Sequence, residues 1–412
     1  MNTHFSSGDL VLSAYGKTAR KGTYIAERDG MAVVKLTSGY NIGVPFDRLS
    51  LIAHAEVSRA PEVRVVQDRS LPALSIVSTG GTIASRIDYR TGAVTSQFDA
   101  DDILRAIPRL RSIGCFQARK LYTILSENMT PAIWQELARA VFEEIKNGST
   151  GIIVTHGTDT MAFSAAALSF MLDTPVPVIF VGSQRSADRP SSDNAMNALC
   201  SASAAISDLG EVAVVMHATS SDDYCSIHRG TRVRKMHSSR RDAFRSIGIP
   251  PIGTIEYPSL DVTLHDGAMR RRQGEPALRD GLEECCGLAS FYPGMPPSVL
   301  EAYRGYRGLV IAGTGLGHVS SDLVPVIRSL IDEGTVVVMT TQCLHGRVCD
   351  RVYDTGRDLI RAGVIEGEDM LPETALVKLM YVLGNVADPE KAERMIKENL
   401  RGEFTQRSAH GF

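Results

Sequence analysis

Hydroxyl-bearing residues gather where apolar runs of the sequence end. "STGGTIAS" (Ser78–Ser85) follows "ALSIV", "SEN" follows "LYTIL", "THGTDT" follows "GIIV", and "VGSQR" follows "PVIF". In open parallel sheets, ligands collect outside the carboxyl ends of the strands. If these runs are neighbouring strands, Thr79, Thr82, Ser126, Thr158 and Asp159 converge on one crevice. A threonine hydroxyl attacks an electrophile at neutral pH only when a neighbour takes its proton. Each motif alone also has a plainer account. "TGGT" is a glycine turn, Thr158 or Asp159 is a helix N-cap, and His156 is a packed, hydrogen-bonded histidine.

Phosphate chemistry has less support. "GTGLGH" (Gly313–His318) carries only a GxGxG core, with no acidic residue about 20 positions on at a strand end. No GxxxxGK[ST] stretch occurs. The 412 residues carry a formal net charge of -3, so no global basic field advertises nucleic acid. The hydrophobic share is 43% and the charged share 22%, as in ordinary globular proteins. The start "MNTHFSSGDLV" has no basic segment followed by an apolar one. The most apolar stretch is broken by Asp173, Pro175 and Pro177, which argues against a membrane span. Seven scattered cysteines form no CxxC pair, so neither a disulfide framework nor a metal site is expected, and a reducing cytoplasmic setting is.

The elements that must hold the hydroxyls are legible in the patterning. Short β-rich runs with glycine turns over residues 1–58 predict a small β-barrel. The segment 59–72, "RAPEVRVVQDRSLP", reads as a linker that includes at most a short strand. From Ala73 strands and helices alternate, which predicts a parallel sheet with helices on both faces. "LYTILS" reads as one of its strands. In the next helix Thr130 is the N-cap, Pro131 the first helical residue and Asn147-Gly148 the stop. Asp388 with Pro389 caps the last helix in the same way. The expected domains are 73–257 and 285–412, both α/β, with a charged connection at 258–284.

Taken together, "TGGTIA", "THGTDTM" and the lysine of "RGTRVRK" resemble the bacterial-type L-asparaginase family, over about Leu74 to Leu400. The resemblance implies a two-domain asparaginase-like α/β fold. It implies that Thr82 is the acyl-accepting nucleophile, and that Thr158, Asp159 and Lys235 form a supporting hydroxyl–carboxylate–amine relay. It places Gly81 and Ser126 at the substrate, Ser126 on its carboxylate. Glu127 stands where the family usually has glutamine or aspartate to grip the α-ammonium. Tyr89 stands where a lid tyrosine is common. With its β-rich extension, the chain resembles the asparaginase-like D subunits of archaeal glutamyl-tRNA(Gln) amidotransferases.

These residue types suit amide hydrolysis, which needs a nucleophile, a base and donors for the developing oxyanion. The Gly80-Gly81 turn lets backbone N–H groups approach a carbonyl closely. A lysine withdrawn from water can act as a base, and a carboxylate can orient it. The resemblance further implies a glutaminase working with a companion subunit. That partner would bind Glu-tRNA(Gln), use ATP and magnesium, and accept the ammonia, with no cofactor or metal on this chain. It also implies a homodimer core and a cytoplasmic location. A stand-alone cytoplasmic L-asparaginase or glutaminase is the alternative. The basic stretch from Arg229 to Arg245 is either solvated surface or a contact for a partner or tRNA, with Lys235 pointing inward.

Overall fold

The computed structural model describes residues 5–14, 19–38, 40–54, 65–80, 86–87, 94–95, 100–187, 189 and 191–407. Strands β1 (Leu10–Ser13), β2 (Arg20–Arg28), β3 (Met31–Leu36), β4 (Asn41–Val44) and β5 (Leu49–Ala53) form an antiparallel sheet in the order β4-β3-β2-β1-β5. Asp29 and Gly30 both have positive φ (53° and 72°), the geometry that two-residue hairpins favour. A small core of its own, with Val11, Tyr24, Val34 and Val44, holds this sheet. The expected barrel is not closed, because the edge strands β4 and β5 form no ladder with each other among the described residues. They are joined through the short turn Phe46–Arg48, so the sheet still has to curl.

The next elements are β6 (Ala73–Ser78), the short pair β7 (Arg86–Ile87) and β8 (Val94–Thr95), α1 (Ala100–Ala106), β9 (Cys115–Lys120), α2 (Pro131–Lys146), β10 (Gly151–Thr155), α3 (Met161–Met171) and β11 (Leu172–Asp173). They continue with β12 (Val178–Val181), α4 (Asn194–Ile206), β13 (Val212–His217), β14 (Tyr224–Arg229), β15 (Val233–Lys235), β16 (Phe244–Ser246), β17 (Gly253–Glu256), β18 (Val262–Leu264) and β19 (Ala277–Leu278). Eight of these strands make one sheet, ordered β18-β17-β14-β13-β12-β10-β6-β9. Side chains alternate across it as a pleated strand requires. Val77, Val154 and Phe180 face α2 and α3, while Ile76, Ile153, Ile179 and Val181 face α1 and α4.

Two expectations need correction. The sheet is mixed, not parallel: β14, β17 and β18 pair antiparallel. Only Ala218–Asp223 joins β13 to β14, too short for the crossover a parallel pair needs. Nor is "LYTILS" a strand. The strand is the preceding "CFQARK", an edge strand whose outer face meets water and so needs no apolar alternation. Leu121 and Tyr122 run past its end, both donating their N–H to the Ser78 carbonyl at 2.9 and 3.0 Å. In the expected linker, Gln67 lies beside the edge, its amide exchanging two hydrogen bonds with the Phe116 backbone. In the expected 258–284 connection, β18 adds to the sheet and β19 pairs with β11.

The remaining elements are β20 (Cys286–Ser290), α5 (Pro297–Glu301), β21 (Gly308–Gly313), α6 (Val324–Asp332), β22 (Val336–Thr341), α7 (Asp354–Ala362), β23 (Ile365–Glu366), α8 (Pro372–Asn385) and α9 (Pro389–Lys397). Here β20-β21-β22-β23 is a wholly parallel sheet. One face packs on α5, α6 and α7. The other packs on α8, which also meets α3, so Val310, Val338 and Leu379 share a core with Phe180 and Leu168. The expected caps hold: Thr130 accepts from the Ile133 N–H, and Asp388 from that of Lys391. No helix among the described residues is long and apolar enough to cross a membrane.

Candidate active site

The chain leaves β6 for β9 on one side of it, then returns to β10 on the other. The carboxyl ends of β6 and β10 therefore flank the switch point where α/β sheets open a crevice. The two strands run parallel, Ser78 opposite Thr155. Beyond them Thr79 is buried, and both its N–H and its hydroxyl donate to the Thr155 carbonyl at 3.1 and 3.2 Å. Thr79 thus ties two loops together. At Gly80, φ is +127° and a Cβ would lie 2.5 Å from the Ile124 carbonyl oxygen, so only glycine lets the chain turn here. Thr82, Gly81 and Tyr89 lie outside the described residues.

Thr158 and Asp159 occupy the turn between β10 and α3. Lys235 ends β15, in the hairpin with β16, far away in sequence. Its ammonium donates to Thr158 Oγ1 at 2.9 Å and to Asp159 Oδ1 at 2.8 Å. The lysine side chain is only 12% exposed, whereas Asp159 is 68% exposed, so the carboxylate faces the crevice mouth. The hairpin carrying Lys235 is anchored by the fully buried Arg232. That guanidinium donates to the Asp369 carboxylate (2.9 Å) and to the carbonyls of Asp369 and Glu403 (2.8 and 2.9 Å). Asp242 serves the same hairpin. Burial pushes its carboxyl up, but hydrogen bonds from Arg245 and Arg240 outweigh this and hold it below the usual range.

Ser126 joins the same loops. Thr160 Oγ1 donates to the Ser126 carbonyl at 2.7 Å, and a Cβ on Gly157 would lie 2.7 Å from Ser126 Cβ. Ser126 is buried, while Glu127 is exposed on the same turn, with no hydrogen bond or ion pair among the described residues. The structure thus brings Ser126, Thr158, Asp159 and Lys235 to one end of the sheet.

Sequence reasoning missed what stands behind them. Trp134 Nε1 donates to Ser164 Oγ at 2.8 Å, and Ser164 Oγ lies 2.8 Å from His156 Nε2. His156 Nδ1 is 2.6 Å from the Gly157 carbonyl, which can only accept, so Nδ1 carries the proton and Nε2 accepts from Ser164. This chain of three side chains fixes the backbone immediately before Thr158. Burial holds the imidazole neutral, its pKa lowered to about 4, despite the opposing Gly157 carbonyl. The packed-histidine reading of His156 therefore holds. A second support is Asp193, fully buried at the start of α4. Its carboxylate accepts from Ser183 Oγ, the N–H groups of Gln184 and Arg185, and Asn197 Nδ2, all at 2.8 to 2.9 Å, knotting the loop after β12. A helix-start aspartate gives no sign in sequence that it caps a loop instead.

The arrangement suits proton transfer at a hydroxyl. A lysine that gives up a proton can draw one through Thr158, and Asp159 keeps the amine aimed. Among the described residues no His, Cys, Asp and Glu side chains form a group of three or more able to hold a metal ion.

The sheet order and this trio define a class, the asparaginase-type α/β enzymes. Residues 73–267 match the family described as "Asparaginase, N-terminal", and residues 287–396 match "Glutaminase/Asparaginase C-terminal domain". The thermostable L-asparaginase from Thermococcus kodakarensis superposes with a TM-score of 0.74 at 34% identity, covering 81% of this chain and 100% of its own. The D subunit of the glutamyl-tRNA(Gln) amidotransferase of Methanosarcina mazei is 55% identical over 98% of this chain and 99% of its own. The corresponding protein of Archaeoglobus fulgidus is also 55% identical, over 98% and 96%. The chain belongs to the glutaminase/asparaginase family, in its branch of glutamyl-tRNA(Gln) amidotransferase D subunits.

Proposed function

We propose that the chain is the glutaminase subunit of a tRNA-dependent amidotransferase that converts Glu-tRNA(Gln) to Gln-tRNA(Gln). The observation that carries this reading is the contact of Lys235 with both Thr158 and Asp159 at the β10 carboxyl end. Thr82 Oγ attacks the side-chain carbonyl of glutamine, and the amide nitrogen leaves as ammonia after taking up a proton. Once Lys235 has given up a proton, its neutral amine accepts the threonine proton through Thr158 and returns one to the leaving nitrogen. Water then attacks the acyl-threonine ester and glutamate departs. Backbone N–H groups at the Gly80-Gly81 turn serve the oxyanion. Ser126 takes the substrate α-carboxylate, Glu127 with Asp159 its α-ammonium, and Tyr89 closes the site.

The similarity to amidotransferase D subunits, which extends over nearly the whole chain, supports a companion subunit. In this reading that companion holds Glu-tRNA(Gln), ATP and magnesium and receives the ammonia, in the cytoplasm, around a homodimer of this chain. The two α/β units, about 73–257 and 285–412 with 258–284 between them, form the glutaminase body, and residues 1–58, curled into a barrel-like module, couple it to the partner. Tyr40 of that module lies over the Arg189 guanidinium, 5.0 Å from ring centroid to Cζ, in the loop that Asp193 knots beside the site.

The test is Thr82→Ala in the assembled complex. Glutamine-dependent formation of Gln-tRNA(Gln) should vanish, while formation from added ammonium persists. Unchanged use of glutamine would overturn the nucleophile. Full glutaminase activity with no transamidation in any preparation containing the partner would favour the stand-alone amidase.

A further inference from the structure

A cavity of about 270 Å³ opens on the opposite end of α3 from Thr158 and Asp159, between α3, β19, α8 and the residues around α9. Its apolar wall comes from Phe170, Tyr381, Met395 and Leu400. The Phe170 and Tyr381 rings are stacked, with centroids 6.0 Å apart and planes at 22°. Its charged lining is Asp173, Arg279 and Arg401.

The charges do not balance. Asp173 Oδ1 is held at 2.7 Å by Arg272, which lies outside the cavity lining, and Arg401 Nη1 reaches the same oxygen only at 3.6 Å. Arg401 spends its Nε on the Ser169 carbonyl at 2.9 Å. The backbone of Arg279 is fixed, its N–H donating to the Met171 carbonyl at 2.8 Å. Its guanidinium, by contrast, makes no hydrogen bond or ion pair among the described residues. Two guanidinium groups, those of Arg272 and Arg401, therefore meet the one carboxylate of the lining, and the exposed Arg279 adds a further cation beside the aromatic floor.

We propose that this cavity binds a small carboxylate with an aromatic or bulky apolar tail. An apolar cavity of about 150 Å³ holds a benzene ring, so the volume here accommodates a ring with a short arm ending in a charged group. The tail lies against Phe170, Tyr381 and Met395. The two carboxylate oxygens meet the Arg279 fork, a planar pairing that guanidinium makes better than any other side chain. Arg401 adds a second positive charge. An amine is excluded by the same surplus, and a neutral alcohol gains only the apolar contact. The site stands apart from the glutaminase reading and does not depend on it.

The test is calorimetric titration of the full chain with phenylacetate, 2-phenylethanol and 2-phenylethylamine. Phenylacetate should bind saturably, with a dissociation constant on the order of 0.1 mM for a ligand of this size. The alcohol should bind at least about tenfold more weakly, as loss of a charged hydrogen bond requires, and the amine not at all. Arg279→Gln should weaken phenylacetate about tenfold and leave the alcohol unchanged. Ala277→Trp, at the exposed mouth, should block both ligands, with an unchanged melting temperature showing that the fold is intact. Equal affinity for acid and alcohol, indifference of acid binding to both substitutions, or no saturable binding of phenylacetate would each overturn the proposal.

Discussion

Ser164→Ala probes the buried chain behind the candidate site. Ser164 accepts from Trp134 and donates to His156, and all three side chains are buried. Removing one hydroxyl therefore orphans two groups, the indole N–H and the imidazole Nε2. A buried polar group left without a partner costs about 1–3 kcal/mol. The expected loss of stability for the two groups together is thus about 2–6 kcal/mol, since the substitution keeps the β-carbon and removes only the hydroxyl. Trp134→Phe removes only the outer donor and leaves Ser164 free to serve His156, so it should cost less than Ser164→Ala apart from its packing loss. The double variant should cost less than the sum, because the orphaned indole N–H is gone. Urea unfolding at pH 8 measures all three. Glutaminase turnover should fall with Ser164→Ala even where the protein is fully folded, since the freed imidazole no longer fixes the Gly157 carbonyl next to Thr158. A cost below about 0.5 kcal/mol, or strict additivity in the double variant, would refute the relay.

Lys235→Ala and Thr158→Ala should each nearly abolish glutaminase turnover, and the double variant should be little worse than either, because groups acting as one relay lose their effect together; kinetics showing multiplied losses would separate them. Stability should also respond to pH in two opposite ways. His156 and His228 are held neutral by burial, with pKa values lowered to about 4 and about 3, so the unfolded chain binds their protons first as pH falls below about 6.5. Together they should remove about 4 kcal/mol of stability between pH 8 and pH 5. Asp350 is buried, its two carboxylate oxygens have no hydrogen-bond partner among the described residues, and burial with the nearby Glu366 pushes its pKa up to about 7. There the native state takes up the proton first, which returns about 2–3 kcal/mol over the same range. Asp350→Asn should therefore be more stable than the parent at pH 8 by denaturant unfolding, with the advantage shrinking by about 2–3 kcal/mol at pH 5; a constant difference would show that Asp350 titrates normally. Removal of residues 1–58, or Tyr40→Ala, should reduce the stimulation of glutaminase by the partner carrying Glu-tRNA(Gln), whereas equal rates with and without that partner would dismiss a coupling role for the module.

Much of this protein is written locally. Thr130 with Pro131 starts α2 because a side-chain acceptor and a missing N–H suit a helix's first turn. The glycine turns and hydroxyls at strand ends announce a crevice, because glycine and short polar side chains are what a close approach to a ligand requires. The family likeness of the threonine, aspartate and lysine motifs is likewise carried by neighbours in sequence. What sequence did not reveal depends on neighbours in space. The edge strand β9 carries no alternating pattern, since one of its faces meets water, so the apolar residues after it looked more like a strand than the strand did. The β13–β14 turn reverses the sheet through its length, a property of the connection and not of either strand. The hydrogen bond from Trp134 to Ser164, the unspent Arg279 beside Phe170 and Tyr381, and the contact of Lys235 with Asp159 all join residues that are remote along the chain. Burial and hydrogen-bond satisfaction decide these features, and both belong to the packed structure, where separate segments must meet each other's donors, acceptors and charges.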